Sequence, residues 1–314
     1  MDPLVIIAGP TATGKSALAV RLAKKINGSI ISCDSMQVYT GMDIGTAKIS
    51  PEEREDIPHY LIDVLDPSED FNIATFKSMA NTAIKDIVAS GRIPIMTGGT
   101  GFYIQSVLYD IDFEETDEDT TYRDYLHDLI NDRGAEYVHS MLAEADPAAA
   151  LAIHPNDHKR LIRALEYHKQ TGLPISEHNI RSRKREAAYN ACYFVMSDDR
   201  QRLYDRIDSR VDDMITAGLE DEVKKLLSDG LTRENVSMQG LGYKEMIDHL
   251  EGRITLEEAV YRIKRDSRHF AKRQLTWYRR EKDVIWLDLD ANEDVMPLIM
   301  TELEKKGIIN ERSV

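Results

Sequence analysis

Gly9-Pro10-Thr11-Ala12-Thr13-Gly14-Lys15-Ser16 places two glycines, a lysine and a hydroxyl at the spacing of a phosphate-binding loop. The glycines let backbone amides turn inward, Lys15 neutralises terminal phosphate oxygens, and the Ser16 hydroxyl is suited to Mg²⁺. This pattern specifies an anion but not its owner, because ATPases, GTPases, small-molecule kinases and other transferases share it. A second reactive group is Asp34, in Ser32-Cys33-Asp34-Ser35-Met36-Gln37. Its carboxylate could help hold Mg²⁺, accept a proton from a nucleophile, or cap the next turn. Gly98-Gly99-Thr100-Gly101 would bring backbone close to a ligand, with the Thr100 hydroxyl beside it. Asp63, at the end of Leu61-Ile62-Asp63, reads either as the metal-facing aspartate of an apolar strand or as the start of a turn through Asp66-Pro67.

These groups need a scaffold that brings separate loops to one edge. Short β-rich runs at Leu4–Gly9, Ser29–Asp34, Tyr60–Val64, Ile93–Thr97, Ala191–Met196 and Val284–Leu287 alternate with helical segments such as Lys15–Ile26 and Ile73–Ser90, the latter ended by Gly91. The alternation predicts an α/β fold: a P-loop NTPase-like parallel sheet flanked by helices, with ligands at the C-terminal edge of the strands. After Thr97 the strands cease, and residues 114–188 read as a helical insertion domain between core segments 1–113 and 189–314. The acidic run 114–119 is expected to be a hinge or an exposed helix start.

Two later helices carry further candidates. On the first, Leu203, Ile207, Val211 and Met214 form an apolar stripe, and Arg210 falls about 20° from Leu203 on its margin. An inward guanidinium needs an anionic partner, either a bound diphosphate or a structural carboxylate. The second, Thr255 to Lys282, sets Leu256, Val260, Ile263, Phe270 and Trp277 on one side. Arg262, Arg265, Arg268, Lys272, Arg273, Arg279 and Arg280 occupy other positions. Trp277 reads as core in register with that stripe, and the basic positions as RNA contacts.

With 42% apolar and 30% charged residues, 314 residues suffice for a full core. Met1-Asp2-Pro3 has no basic leader region and Leu4–Ala8 is too short to span a membrane, so a cytoplasmic protein without membrane association is expected. Cys33 and Cys192 offer neither a disulfide framework nor metal-ligand spacing, and are expected as buried filler. A net charge of −15 argues against a generic nucleic-acid binder. Yet His158–Glu186 carries eight Lys and Arg against three Asp and Glu, and Arg262–Lys282 carries nine against two. Such segments are either local RNA-facing surfaces or solvated helix faces.

Several stretches together carry a resemblance that no single motif does. They are GPTATGKS, Asp34–Lys48 (DSMQVYTGMDIGTAK), His59-Tyr60-Leu61-Ile62-Asp63 with Asp66-Pro67, and GRIPIMTGGTG. To these are added Asp146-Pro147, His154-Pro155-Asn156-Asp157 through Arg160, and Lys272-Arg273-Gln274-Leu275-Thr276-Trp277. Over almost the whole chain the sequence resembles the tRNA dimethylallyltransferase (tRNA isopentenyltransferase) family. The resemblance implies transfer of a dimethylallyl group from dimethylallyl diphosphate to N6 of the adenosine at tRNA position 37, immediately 3′ of the anticodon. It implies Mg²⁺ as cofactor, held at Ser16, and the P-loop as diphosphate cradle. Asp34 would be the proton acceptor, with Thr100 and Arg210 also catalytic and Tyr39–Lys48 a signature loop beside the site. The anticodon stem-loop would meet Asp34, Ser35, Met36, Gln37, Thr100, Arg123, Lys159, Arg160, Leu161, Ile162 and Arg163. A monomer is expected. Ser237–Lys244 fits the family's glycine-containing loop in outline and receives no role.

Three other readings use the same residues: a small-molecule kinase, an isopentenyltransferase acting on a free adenine nucleotide, and an RNA-binding module with a vestigial nucleotide site. The signature loop and the two basic segments speak against the first, the helical insertion and the basic helices against the second, and turnover would exclude the third.

Overall fold

The computed structural model describes residues 1–111, 121–182, 186–292 and 294–310. They form two compact units, Met1–Asp110 with Ala187–Val314, and Ile111–Glu186.

The larger unit begins with β1 (Pro3–Ala8), α1 (Lys15–Ile26), β2 (Gly28–Ser32), β3 (His59–Tyr60), α2 (Ile73–Ala89), β4 (Ile93–Gly98) and α3 (Gly101–Leu108). The smaller unit holds α4 (Thr121–Arg133), α5 (Ala135–Ala145), α6 (Pro147–Ala152), α7 (His158–Thr171) and α8 (Ile175–Ser182). The chain then returns through β5 (Asn190–Ser197), α9 (Arg200–Thr216), α10 (Leu219–Ser228), a 3₁₀ turn (Ser237–Gln239), α11 (Tyr243–Leu250), α12 (Leu256–Tyr278), β6 (Val284–Asp288) and α13 (Met296–Lys305). The described strands make one sheet of order β3-β2-β4-β1-β5-β6, parallel throughout.

The central strands are apolar on both faces because both are covered. Val5 and Ile7 pack toward α1 and α13; Leu4 and Ile6 pack toward the opposite core with Phe76, Ile104 and Tyr193. Register aligns the strand ends: Ala8 lies opposite Gly98, and Ser32 opposite Thr97. The loops after β1, β2 and β4 therefore leave the sheet side by side. Cys33 N donates to Thr97 O at 2.7 Å and Thr100 N to Cys33 O at 3.2 Å, tying two of those loops together. Cys33 and Cys192 are both free and buried.

The third strand is shorter than the run Tyr60–Val64 predicts. Leu61 and Asp63 adopt φ of 62° and 56°, so extended pairing ends after Tyr60 and the chain turns away. The last long helix ends at Tyr278 rather than Lys282, and its buried face is centred on Ala259, Ile263, Ala271, Gln274 and Tyr278. Leu256, Val260, Phe270 and Trp277 flank that face and are only partly buried. The acidic run 114–119 lies outside the described residues.

In the smaller unit, Leu126, Val138, Leu142, Leu161, Ile162 and Leu165 build a core of their own. Asp146 starts α6 by accepting from Ala149 N at 2.9 Å, with Pro147 at the first helical position, and also holds Ser176 through its amide and hydroxyl. No helix among the described residues is long and apolar enough to cross a membrane.

Candidate active site

The loop from β1 to α1 turns through three residues with positive φ, two of them glycines. Gly9 has φ 145°, and a Cβ there would sit 2.8 Å from Met196 O; Ala12 and Gly14 follow at φ 62° and 80°. Thr13 Oγ1 and Lys15 Nζ both donate to Pro10 O, at 2.8 and 2.6 Å, folding the loop around its own centre. Burial pulls the Lys15 ammonium from the ordinary lysine value of 10.5 down to about 7, with Arg210 acting in the same direction and Asp34 opposing. Arg210 comes from α9, where Leu203, Ile207 and Val211 face inward. Its Nη1 donates to Thr11 Oγ1 at 3.1 Å, and among the described residues no carboxylate pairs with it, so the structural carboxylate open to it in the sequence is not its partner. Burial lowers its pKa as well, again opposed by Asp34.

Asp34 follows β2 and serves in part as a turn cap: Oδ1 accepts from Met36 N at 2.9 Å and Gln37 N at 3.4 Å. This leaves Oδ2 without a hydrogen bond among the described residues. Asp34, Lys15, Ser16, Gly98, Gly99 and Arg210 line one cavity of about 280 Å³, a volume suited to a small molecule. Its other lining includes Ile30, Ile49 and Ile62, an apolar wall near the anion cradle. Thr100 does not line the cavity; it starts α3 with no side-chain cap bond, one residue behind the lining glycines.

Asp63 is absent from this site. Its carboxylate takes Lys48 Nζ at 2.5 Å and Arg54 Nη2 at 3.4 Å, closing the loop that follows β2, so the metal-facing reading of Asp63 is incorrect. Lys48, 3% exposed in its side chain, also donates to Tyr39 O at 2.8 Å and Asp43 Oδ1 at 2.6 Å. The rest of the signature loop is fixed by a residue the sequence did not single out. Glu222 of α10 accepts from the amides of Asp43, Ile44 and Gly45 at 2.8–3.0 Å, and from Tyr243 Oη at 2.7 Å. Ser237–Lys244, left without a role, therefore buttresses that loop through Tyr243. The fixed loop places Gln37, Thr46 and Ala47 in the cavity wall.

Gln274 was also missed as an individual residue. Its Oε1 accepts from Thr11 N at 2.9 Å and its Nε2 donates to Gly99 O at 3.0 Å. The detectable signal was a polar residue three positions after Ala271 and four before Tyr278, on a face otherwise suited to burial.

The expected RNA contacts divide. Lys159 and Arg160 at the start of α7 are exposed and Arg163 is half-buried, while Leu161 and Ile162 belong to the core at 0% and 3% exposure. Side-chain contact with RNA from Leu161 and Ile162 is therefore corrected: the helix period turns them inward. Arg123 is engaged within its own unit, its Nε and Nη2 donating to the buried Glu166 at 2.9 and 3.3 Å. On α12, Arg262, Arg265 and Arg268 are paired with Glu258, Asp266 and Asp208. Lys272, Arg273, Arg279 and Arg280 remain exposed and without an ion pair among the described residues.

Comparison with known proteins fits this geometry. The family model described as IPP transferase matches residues 37–281, and that described as isopentenyl transferase matches residues 3–70. The chain is 56% identical over 315 residues to the tRNA dimethylallyltransferase of Lachnoclostridium phytofermentans, covering 100% of this chain and 99% of the relative. It is 50% identical over 303 residues to that of Carboxydothermus hydrogenoformans, covering 96% and 97%. Among solved structures it is similar to the full-length tRNA isopentenylpyrophosphate transferase of Bacillus halodurans, with TM-score 0.74, 45% identity and 98% of both chains covered. A eukaryotic dimethylallyltransferase acting on tRNA matches with TM-score 0.81 and 31% identity over 97% of this chain and 78% of that one.

Proposed function

The chain belongs to the tRNA dimethylallyltransferase family, and on that premise we propose how it transfers a dimethylallyl group from dimethylallyl diphosphate to N6 of the adenosine 3′ of the anticodon. The observation that carries the reading is one cavity lined by an anion cradle, by Ile30, Ile49 and Ile62, and by Asp34, whose Oδ2 has no hydrogen bond among the described residues. A diphosphate with a five-carbon tail needs the first two, and an attacking amine needs the third.

The adenine amine is a weak nucleophile because its lone pair is delocalised into the ring, so the electrophile must be activated and the proton removed. N6 attacks the allylic carbon as its bond to the diphosphate oxygen breaks. The bonding electrons leave with diphosphate, and the N6 proton passes to Asp34. Charge growing on the leaving group meets Lys15, Arg210 and the amides at the start of α1, donors already in place before reaction. Ile30, Ile49 and Ile62 offer apolar contact to a five-carbon tail beside the anion cradle.

Mg²⁺ fits the donors present. Ser16, which lines the cavity, would supply one hard oxygen beside those of the diphosphate. When bound it would neutralise part of the charge on diphosphate.

The target base must leave its stack to reach a cavity of this kind. Asp34 to Gln37 and Thr100 would meet the base and its neighbours, while Lys159, Arg160, Arg163 and the exposed cations of α12 would hold phosphates. A cytoplasmic monomer completes the proposal. Mass spectrometry of tRNA incubated with the protein, dimethylallyl diphosphate and Mg²⁺ tests it: one five-carbon unit on adenine is expected. Transfer to free AMP but not tRNA, or phosphoryl transfer from ATP without prenylation, would overturn it.

A further inference from the structure

We propose that Gln274 is a positioning residue for the diphosphate cradle: its side-chain amide clamps the phosphate loop to the Gly98–Gly99 turn and so holds Thr11, with Arg210 attached, facing the leaving group. This rests on the cradle binding diphosphate, as argued above.

The residue sits 5% exposed on the inner face of α12, where an apolar side chain would pack without needing partners. A buried amide is tolerated there only if both ends are bonded. Both are, and to backbone groups of two cavity-lining loops: Thr11 N at 2.9 Å and Gly99 O at 3.0 Å. The amide's orientation is dictated by chemistry, since Thr11 N only donates and Gly99 O only accepts.

Thr11 is thereby fixed from two sides. Gln274 holds its amide and Arg210 its hydroxyl, so a shift at Thr11 carries the guanidinium with it. Residue 99 must be small for the clamp to close, because a Cβ on Gly99 would lie 2.1 Å from Gln274 Nε2. One helical turn later the same face repeats this approach, with Trp277 ring atoms 2.3 Å from where a Cβ on Gly101 would be. A glutamine merely filling the core would not need to bond the backbone of both loops that leave the paired strands β1 and β4 and line the cavity.

The test uses full-length protein and inorganic diphosphate with Mg²⁺, titrated by calorimetry, alongside kinetics with tRNA. Gln274→Met keeps the volume and removes both bonds. It should raise the Kd for diphosphate about tenfold, the worth of one or two net hydrogen bonds, and lower kcat, with KM for tRNA unchanged. Gly99→Ala, with Gln274 intact, should act in the same direction by displacing Nε2. In a Gln274→Ala background it should add less than about threefold, since the clash is gone. Wild-type affinity for diphosphate in Gln274→Met would overturn the proposal, as would fully multiplicative effects of Gly99→Ala and Gln274→Ala. Should the unmodified protein bind diphosphate yet fail to prenylate tRNA, the functional reading falls and the clamp stands.

Discussion

Diphosphate binding should draw a proton onto Lys15, and the size of the effect follows from where that lysine sits. In the free site, burial and the neighbouring Arg210 bring its pKa from 10.5 to about 7, against the pull of Asp34. The sign is that of a buried cation: the unfolded chain keeps the proton up to the ordinary lysine value, whereas the folded site releases it near neutrality. The penalty on folding is thus complete below about pH 7 and fades as pH rises toward 10.5. A seated diphosphate reverses the balance, since its charge favours the ammonium and moves the pKa back up. Lys15 should then take up about 0.1 proton at pH 6, about 0.5 at pH 7 and about 0.9 at pH 8 per diphosphate bound. From this residue alone, affinity should fall roughly 50-fold between pH 7 and pH 9. Calorimetry in two buffers of different ionisation enthalpy measures the uptake, and subtracting the values for Lys15→Met removes the titration of diphosphate itself. Without diphosphate, Lys15→Met should be the more stable protein at neutral pH, with the gap closing in alkali. Equal proton uptake by the two proteins at pH 8 would refute the reasoning.

Asp34→Asn keeps an oxygen for Met36 N and Gln37 N but cannot take a proton, so turnover should fall by roughly 10² to 10⁴ while diphosphate affinity stays close to normal. Normal turnover in single-turnover assays would remove Asp34 as the base. Replacing Lys159, Arg160 and Arg163 together by Gln should flatten the plot of log tRNA affinity against log salt by about two to three units, and an unchanged slope would place the footprint elsewhere. Arg123→Ala strands the Glu166 carboxylate, whose side chain is 7% exposed. Discounted for the half-exposed arginine, the loss should be about 1–3 kcal/mol in urea unfolding, largely recovered by adding Glu166→Gln. No loss would mean that the pair does not stabilise its unit.

How much of this was legible in the sequence depended on whether a signal was local. The four inner strands were readable because sheet strands covered on both faces are continuous apolar runs, the edge strand β6 because Val284–Leu287 is apolar even though Trp286 is exposed, and the P-loop because its backbone needs glycine at fixed positions. The third strand misled for the same reason: Leu61-Ile62-Asp63-Val64 has strand composition, but φ of 62° at Leu61 is a tertiary outcome that composition does not encode. Arg210 was recoverable from helical phase, since the stripe it borders is regular. Its choice of the Thr11 hydroxyl was not, because that contact joins positions far apart in the chain. Glu222 and Gln274 were invisible as individual side chains, one an ordinary acidic residue in an acidic helix turn, the other a glutamine inside a recognised string. Each owes its role to backbone groups supplied by another part of the fold.

Those long-range contacts explain how the cradle waits for its ligand. Lys15 Nζ is held by Pro10 O, Arg210 by Thr11 Oγ1, and Thr11 N by Gln274 Oε1, all neutral acceptors within or beside the loop. A neutral acceptor fixes a donor in direction without cancelling its charge, so a dianionic group entering the cavity draws Lys15 from Pro10 O and meets the remaining donors of Arg210 with little reorganisation, while Gln274 keeps Thr11 N in place. A glutamate at position 274 could accept from Thr11 N but could not donate to Gly99 O, and would add a second negative charge to the cavity that Asp34 lines, opposing diphosphate. The amide is therefore the side chain that satisfies the loop's geometry and leaves its positive potential for the leaving group.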